Sequence, residues 1–278
     1  MWRNYSQAST VCSRVGFDRT TRFDTGKETT MAPKTRRVAI INDGSFYVGP
    51  PLARMLAARG HDIVVGDPQE GLLEELRSMG ATAIGVPGVR NLVDPESSRK
   101  LAQAALDAFG RIDSAAVSSG RVITGRLLSS SREELDKLYE GCVVSPYNFL
   151  MAVTPTMVQQ GSGQLLIISS ATASRPSPGA PLYSSMRAAA AMLAKNAATE
   201  FARNNVSVNG IGTNFMDFPE FLRASGADNS EVRKKVESQV PLKRLGQLDE
   251  FASFCMPYLD GTATFATGQF VSFSGGWS

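Results

Sequence analysis

Three residues that handle oxygen and protons lie close together in the middle of the chain. Ser170 follows an apolar run, Tyr183 comes thirteen residues later, and Arg187 comes four residues after Tyr183. A four-residue spacing puts Tyr183 and Arg187 on one face of a helix. A free phenol has a pKa of about 10, and a nearby guanidinium favours the phenolate and lowers that pKa while remaining charged.

Together these residue types predict proton transfer at a substrate oxygen. Ser170 can hydrogen-bond the oxygen while Tyr183 takes or gives its proton, which suits an alcohol or an epoxide. The alternative is that Tyr183 is a core aromatic residue and Arg187 a solvated helix residue. The presence of all three side chains at these positions favours the catalytic interpretation.

The elements that must position them are short apolar strands alternating with longer helical patterns. Seven runs are strand candidates: RVAII (37–41), DIVVG (62–66), TAIGV (82–86), IDSAAV (112–117), GQLLIIS (163–169), VSVNGI (206–211) and QFVSF (269–273). Such alternation predicts an α/β, Rossmann-like doubly wound sheet of seven parallel strands in a single domain. The functional site of such a sheet lies in the loops at the carboxyl ends of its strands.

Composition limits the possible functions further. A net charge of +3 over 278 residues disfavours a nucleic-acid surface, and three scattered cysteines disfavour disulfides and zinc. No apolar run approaches the roughly 20 residues of a membrane span, so we expect a cytoplasmic protein with no membrane or metal partner. Residues 1–35 are polar and aperiodic, which predicts a disordered or non-native extension before a domain at 36–278.

The loop after the first strand, NDGSFYVGPP (42–51), differs from a dinucleotide loop. A dinucleotide fold uses several glycines there so that the backbone can approach the pyrophosphate. Phe46 and Tyr47 are bulky, and Pro50 and Pro51 lack amide donors. The loop therefore predicts no nucleotide cofactor, although Asp67 occupies the position of a ribose-binding acid.

These features resemble the short-chain dehydrogenase/reductase superfamily from Arg37 to Ser278, and within it the halohydrin dehalogenases. That family uses Ser, Tyr and Arg where reductases use Ser, Tyr and Lys. Its loop pattern of Thr, four residues, an aromatic, any residue and Gly is matched by Asn42, DGSF, Tyr47, Val48 and Gly49, with Asn replacing Thr. Segments 210–228, 240–246 and 273–278 resemble its G-type branch, and Cys142 stands where reductases carry a catalytic Asn.

The resemblance implies a cofactor-independent carbon–halide lyase. It would convert vicinal haloalcohols to epoxides and halide, and open epoxides with azide, cyanide or nitrite. The implied catalytic residues are Ser170, Tyr183 and Arg187. The implied halide-binding residues are Tyr47, Thr213, Asn214, Phe215 and Met216, and the implied substrate pocket includes Phe218 and Phe221.

Two other functions are open at this stage. One is a divergent NAD(P)-dependent short-chain reductase, which Asp67 favours, and the other is a non-catalytic ligand-binding member of the superfamily. Related proteins pair helices around 131–154 and 179–204 across subunits, so we expect a homotetramer, with a dimer as the alternative. The single histidine, His61, is predicted to be a surface or packing residue.

Overall fold

Seven parallel strands form one sheet in the computed structural model, which describes residues 36–118, 120 and 122–278. The predicted extension 1–35 lies outside these described residues. The strands are β1 (Arg37–Ile41), β2 (His61–Gly66), β3 (Ala83–Val86), β4 (Ser114–Ser118), β5 (Gly163–Ser170), β6 (Val206–Thr213) and β7 (Phe270–Phe273). Their order in the sheet is β3-β2-β1-β4-β5-β6-β7, which confirms the Rossmann-like, doubly wound α/β prediction.

Helices connect the strands and cover both faces of the sheet. They are α1 (Gly49–Ala58), α2 (Leu72–Ser78), α3 (Pro95–Phe109), α4 (Arg132–Tyr139), α5 (Ser145–Gln160), α6 (Pro181–Phe201), α7 (Pro219–Ser225), α8 (Ser230–Ser238) and α9 (Leu248–Cys255). A π-helical turn at Glu140–Val144 joins α4 to α5, and a short 3₁₀ turn at Ala171–Ala173 follows β5. None of the helices in the described residues is long and apolar enough to cross a membrane.

Alternate residues of each strand point into two apolar layers. Val38 and Ile40 of β1 face the layer that contains Phe149 of α5, whereas Ala39 and Ile41 face the layer that contains Phe251 of α9. Both phenylalanines are fully buried, and burial of such a side chain contributes roughly 1.5–3 kcal/mol. The two-residue period of the strands thus fixes which helices pack on each face.

A polar network lies at the amino ends of the central strands. His61 begins β2 and is buried, so it is a packing residue and not a surface one. Its Nδ1 lies 3.2 Å from the Leu56 carbonyl oxygen, and Arg37 Nε donates to its Nε2 over 3.3 Å. Burial lowers the pKa of His61, and the charge of Arg37 lowers it further. The ring is therefore neutral, with its proton on Nδ1.

At the opposite end of the sheet, Asn42 joins the ends of β1 and β4. Its side chain accepts a hydrogen bond from Ser118 N (2.8 Å) and donates one to Ser118 O (3.0 Å). These strands flank the point where the strand order reverses, which is where doubly wound sheets bind ligands. Asn42 thus sets the geometry of the crevice beneath the site.

Candidate active site

Ser170 and Thr213 are adjacent where β5 and β6 end, because these two residues pair in the sheet register. Ser170 Oγ accepts hydrogen bonds from Thr172 Oγ1 (3.0 Å) and Thr172 N (3.3 Å). The hydroxyl donates to the Thr213 carbonyl over 3.4 Å, which is at the long end of hydrogen-bond distances. A substrate oxygen can therefore replace Thr213 O as the acceptor. Thr172, which the sequence analysis missed, orients the hydroxyl.

Tyr183 and Arg187 lie on the buried face of α6, one turn apart. The Arg187 Cζ atom is 5.0 Å from the centroid of the Tyr183 ring, and the two side chains form a hydrogen bond. Pro181 begins the helix, and its restricted φ suits a first helical position. The helix thus presents a phenol and a guanidinium together, as the spacing predicts.

Arg187 is a buried side chain that carries a permanent positive charge. Burial lowers the pKa of Arg187, but Tyr183, Cys142 and Tyr47 outweigh this effect, and the pKa is raised above its ordinary value. The guanidinium is therefore charged at every pH at which the protein is folded. A fixed positive charge beside a phenol stabilises the phenolate form.

Gly120, after β4, is a site residue that the sequence analysis missed. A Cβ atom added there would lie 2.3 Å from Arg187 Nη2, and the φ angle of Gly120 is +110°. The guanidinium thus lies directly against the backbone of this residue, where only glycine fits. The glycine of the VSSG sequence was a signal for this contact, but its partner lies far along the chain.

Cys142 belongs to the same buried neighbourhood. It lies in the π-helical turn before α5, has no exposed surface, and packs in one cluster with Leu138, Ala180 and Tyr183. π-Helical turns are frequent at functional sites. The turn carries Cys142 to the side of the tyrosine.

Tyr47 crosses the crevice. Its hydroxyl donates to Thr213 Oγ1 over 2.7 Å, and its ring lies 4.8 Å from that of Phe218, centroid to centroid. Burial raises the pKa of Tyr47, so the hydroxyl is protonated and acts as a donor. Its backbone has a φ of +53°, in the left-handed region that non-glycine residues rarely adopt.

A series of aromatic rings in contact continues from Tyr47 to Trp277. The Phe218 and Phe221 rings lie 6.3 Å apart, Phe221 and Phe215 lie 6.2 Å apart, and Phe215 lies 5.8 Å from Trp277. Such distances are typical of interacting aromatic pairs. The predicted pocket residues Phe218 and Phe221 are thus brought together with Phe215, and the sequence analysis missed Trp277.

The predicted anion-binding loop uses its own groups internally. The Phe215 amide donates to Asn214 Oδ1 over 3.0 Å, and Gly246 N donates to the Phe215 carbonyl over 2.9 Å. Met216 is buried and packs in the core below Tyr47. Of the five residues predicted to bind halide, Phe215 therefore has its amide hydrogen-bonded to Asn214 within the loop, and Met216 has its side chain buried in the core.

The loop between β1 and α1 does not fit a dinucleotide pyrophosphate in this conformation. The amides of Gly44, Ser45 and Gly49 donate to Gly66 O (2.6 Å), Asp43 Oδ1 (2.9 Å) and Phe46 O (3.2 Å), respectively. Pro50 and Pro51 follow at the start of α1 and have no amide hydrogen. The first turn of α1 therefore lacks the free donors that normally bind phosphate at a helix N-terminus.

Asp67 is likewise engaged within the protein. Its two carboxylate oxygens accept hydrogen bonds from Gly88 N (2.6 Å) and Val89 N (2.9 Å). The residue closes the turn after β3 in this way. Within the residues that the structure describes, no three His, Cys, Asp or Glu side chains form a group that could hold a metal ion.

Comparison with known proteins shows which proteins this chain is similar to. Residues 48–278 match the family model described as Enoyl-(Acyl carrier protein) reductase. The chain is 24% identical over 250 residues to 3-oxoacyl-[acyl-carrier-protein] reductase FabG of Staphylococcus aureus, covering 87% of this chain and 98% of the relative. It is 28% identical over 246 residues to 2,5-dichloro-2,5-cyclohexadiene-1,4-diol dehydrogenase LinX of Sphingobium indicum, covering 87% and 96%.

Solved structures of other proteins have the same fold. A short-chain type dehydrogenase/reductase from Mycobacterium ulcerans superposes with a TM-score of 0.79 at 22% identity, covering 87% of this chain and 89% of that one. The curated relatives named above are a reductase and a dehydrogenase. The expectation of a cofactor-independent carbon–halide lyase acting on haloalcohols is therefore wrong, because these relatives are oxidoreductases.

Proposed function

The chain belongs to the short-chain dehydrogenase/reductase superfamily, and on this premise we propose that it is an oxidoreductase that interconverts an alcohol and a carbonyl compound. The observation that carries the redox reaction is the match of residues 48–278 to a reductase family, and the contact of Tyr183 with the buried cation Arg187 supports the proton transfer. This is the alternative that the sequence analysis left open. The names of the matched reductase and dehydrogenase support it.

Tyr183 exchanges the proton of the substrate oxygen. In the direction of reduction, the phenol gives its proton to the oxygen as the carbonyl becomes an alcohol, and Arg187 stabilises the phenolate that remains. In oxidation, the phenolate removes the hydroxyl proton. Ser170 donates its hydroxyl hydrogen to the same oxygen once that oxygen replaces Thr213 O as the acceptor. Thr172 orients the serine by donating a hydrogen bond to its Oγ.

An oxidoreductase of this superfamily takes its hydride from NADH or NADPH. The β1–α1 loop and Asp67, whose donors and acceptors are engaged within the protein, do not fit that cofactor as they stand. We therefore assign the proton to Tyr183 and assign no residue to the hydride. Binding of the dinucleotide would require the loop to rearrange.

Two measurements test the proposal separately. The first is titration of the purified protein with NADPH and NADH, followed by nucleotide fluorescence. The second is the conversion of cyclohexanone and acetone with each nucleotide, comparing wild type with Tyr183→Phe. We expect Tyr183→Phe to slow turnover by about 10²–10⁴-fold, whereas Tyr258→Phe, at a tyrosine after α9, should not. Failure of both nucleotides to bind would overturn the proposal.

We also propose that the chain forms a homotetramer through α5 and α6. Helix α5 contains no charged residue, and Tyr147 and Met151 are exposed one turn apart on it. Met192 is exposed on α6. The uncharged face of α5 can pack against its own copy around a twofold axis without placing like charges together. These features support a second copy of the chain as the partner.

A further inference from the structure

Arg175 and Trp277 hold two distant segments together. The Arg175 Cζ atom lies 4.5 Å from the centroid of the Trp277 indole, and Arg175 Nη1 donates to the Trp277 carbonyl over 2.5 Å. Next to them, the hydroxyls of Ser174 and Ser272 lie 3.2 Å apart. We call this set of contacts the tryptophan clasp. A cation over an indole is the most favourable cation–π pair.

The clasp connects the segments that carry the site. Arg175 lies five residues after Ser170, just beyond the turn that contacts α6. Trp277 packs edge-on against Phe215, which lies two residues after Thr213. The indole therefore contacts Arg175 in the segment after β5 and Phe215 in the segment after β6.

The indole is held in place by its own backbone. Gly275 and Gly276 have φ angles of +60° and +87°, conformations that reverse the chain direction after β7. Trp277 N then donates to Ser274 O (3.1 Å), and Ser278 N donates to Ser274 Oγ (3.1 Å). Trp277 is thus part of an ordered turn.

We propose that Trp277 is a specificity-determining residue of the active site, acting through Phe215 and Arg175. Phe215 links Trp277 to the Phe221–Phe218–Tyr47 series, and Tyr47 is hydrogen-bonded to Thr213, the register partner of Ser170. A cavity of about 180 Å³ is lined by Phe215 together with Ser274 and Gly275 of the turn before Trp277. When the indole is present, Phe215 is held in the aromatic series, and without it the ring has space to turn away. This inference rests on the proposed function.

The consequence is a selection of substrates by size. Loss of the indole widens the rim at Phe215, so binding of a bulky substrate changes while the proton transfer at Tyr183 does not. The expected effect is a change of about three- to tenfold in the ratio of kcat/KM for cyclohexanone to that for acetone, the size of one aromatic contact. The change should appear in KM, with kcat for acetone nearly constant.

The test uses the full chain with Trp277→Ala, Trp277→Phe and, as a control for loss of an aromatic side chain outside the aromatic series, Phe265→Ala. Phe265 is fully exposed and has no aromatic neighbour among the described residues. We expect Trp277→Ala to change the substrate ratio, Trp277→Phe to restore most of it, and Phe265→Ala to leave it at the wild-type value. An equal loss with both substrates would overturn the proposal, since it would mean a purely structural role.

A binding measurement separates this inference from the proposed reaction. The sequence has two tryptophans, Trp2 and Trp277, so a Trp2→Phe variant reports on Trp277 alone. Cyclohexanol, which does not require turnover to bind, should shift the emission of Trp277 in that variant. A shift in a protein without redox activity would support the role of Trp277 in substrate binding and refute the proposed oxidoreductase reaction. Absence of a shift at saturating cyclohexanol in an active enzyme would refute the role of Trp277 alone.

Discussion

The hydroxyl of Tyr47, which follows β1, and the Oγ1 of Thr213, which ends β6, lie 2.7 Å apart, although two other strands separate β1 from β6 in the sheet. Adjacent strands are about 4.8 Å apart, so the loop and its side chain together extend across roughly 14 Å. They do so above the ends of β4 and β5, next to the point where a doubly wound sheet binds its ligand. Tyr47 therefore closes part of the crevice.

Replacement of Tyr47 by Phe should have two opposite effects. Loss of the hydrogen bond should lower the free energy of unfolding by about 1 kcal/mol, measured by urea denaturation. Affinity for NADPH should rise, because the closed loop no longer has to break that bond before the nucleotide enters. Tyr258→Phe serves as the control for loss of a phenol hydroxyl. Weaker NADPH binding in Tyr47→Phe would show that the hydroxyl helps the nucleotide and does not exclude it.

Gly120→Ala should disable the site through Arg187. The new methyl group would meet the guanidinium at 2.3–2.9 Å, and alanine is strained at a φ of +110°. We expect turnover to fall at least about tenfold and stability to fall by roughly 1–3 kcal/mol. Gly125→Ala is a matched control, because an added Cβ there has no neighbour within 4 Å. Normal activity of Gly120→Ala would mean that Arg187 can move without effect on Tyr183.

His61 should make stability depend on pH below neutrality. Burial, followed by the charge of Arg37, lowers the folded-state pKa of His61, while Leu56 O, Asp260 and Asp113 oppose the shift. A lowered pKa means that the unfolded chain binds the proton more readily. The contribution is therefore complete above the ordinary value of about 6.5 and is lost as the pH falls towards the folded-state pKa.

The urea midpoint of the wild type should accordingly decrease between about pH 7 and pH 5. Glutamine can donate to Leu56 O and accept from Arg37, so His61→Gln should remove most of this dependence while retaining a folded protein. His61 is the only histidine of the sequence, which makes the assignment direct. An unchanged pH dependence in His61→Gln would attribute the effect to the carboxylates instead.

The sequence predicted the fold well because its information is local. Alternating apolar runs placed each of the seven strands with bounds within two residues of those observed, and the four-residue spacing put Tyr183 beside Arg187. The contacts that the sequence did not predict join residues far apart in the chain. Tyr47 and Thr213 are separated by 166 positions, and Arg175 and Trp277 by 102. No periodicity carries information over such distances.

The reaction class could not be predicted for a chemical reason. A serine, a tyrosine and a nearby cation supply proton transfer to oxygen, and this step is common to several reactions. The residues therefore identify the oxygen chemistry but not the second bond that forms or breaks. Arg187 and the Tyr47 loop resemble a lyase family, whereas the matched relatives are a reductase and a dehydrogenase.

A charge substitution can test whether the apolar face of α5 and α6 is the interface between subunits. Met151→Glu places a carboxylate in the centre of that face, and a twofold axis would bring it close to its own copy. Like charges at a desolvated interface are strongly unfavourable, so we expect a smaller species in analytical ultracentrifugation. Met79→Glu makes the same change at another exposed methionine and should leave the mass as in the wild type. An unchanged mass for Met151→Glu would exclude this face from the interface, whereas dissociation that also abolishes turnover would indicate that α6 needs its partner to hold Tyr183 and Arg187 in register.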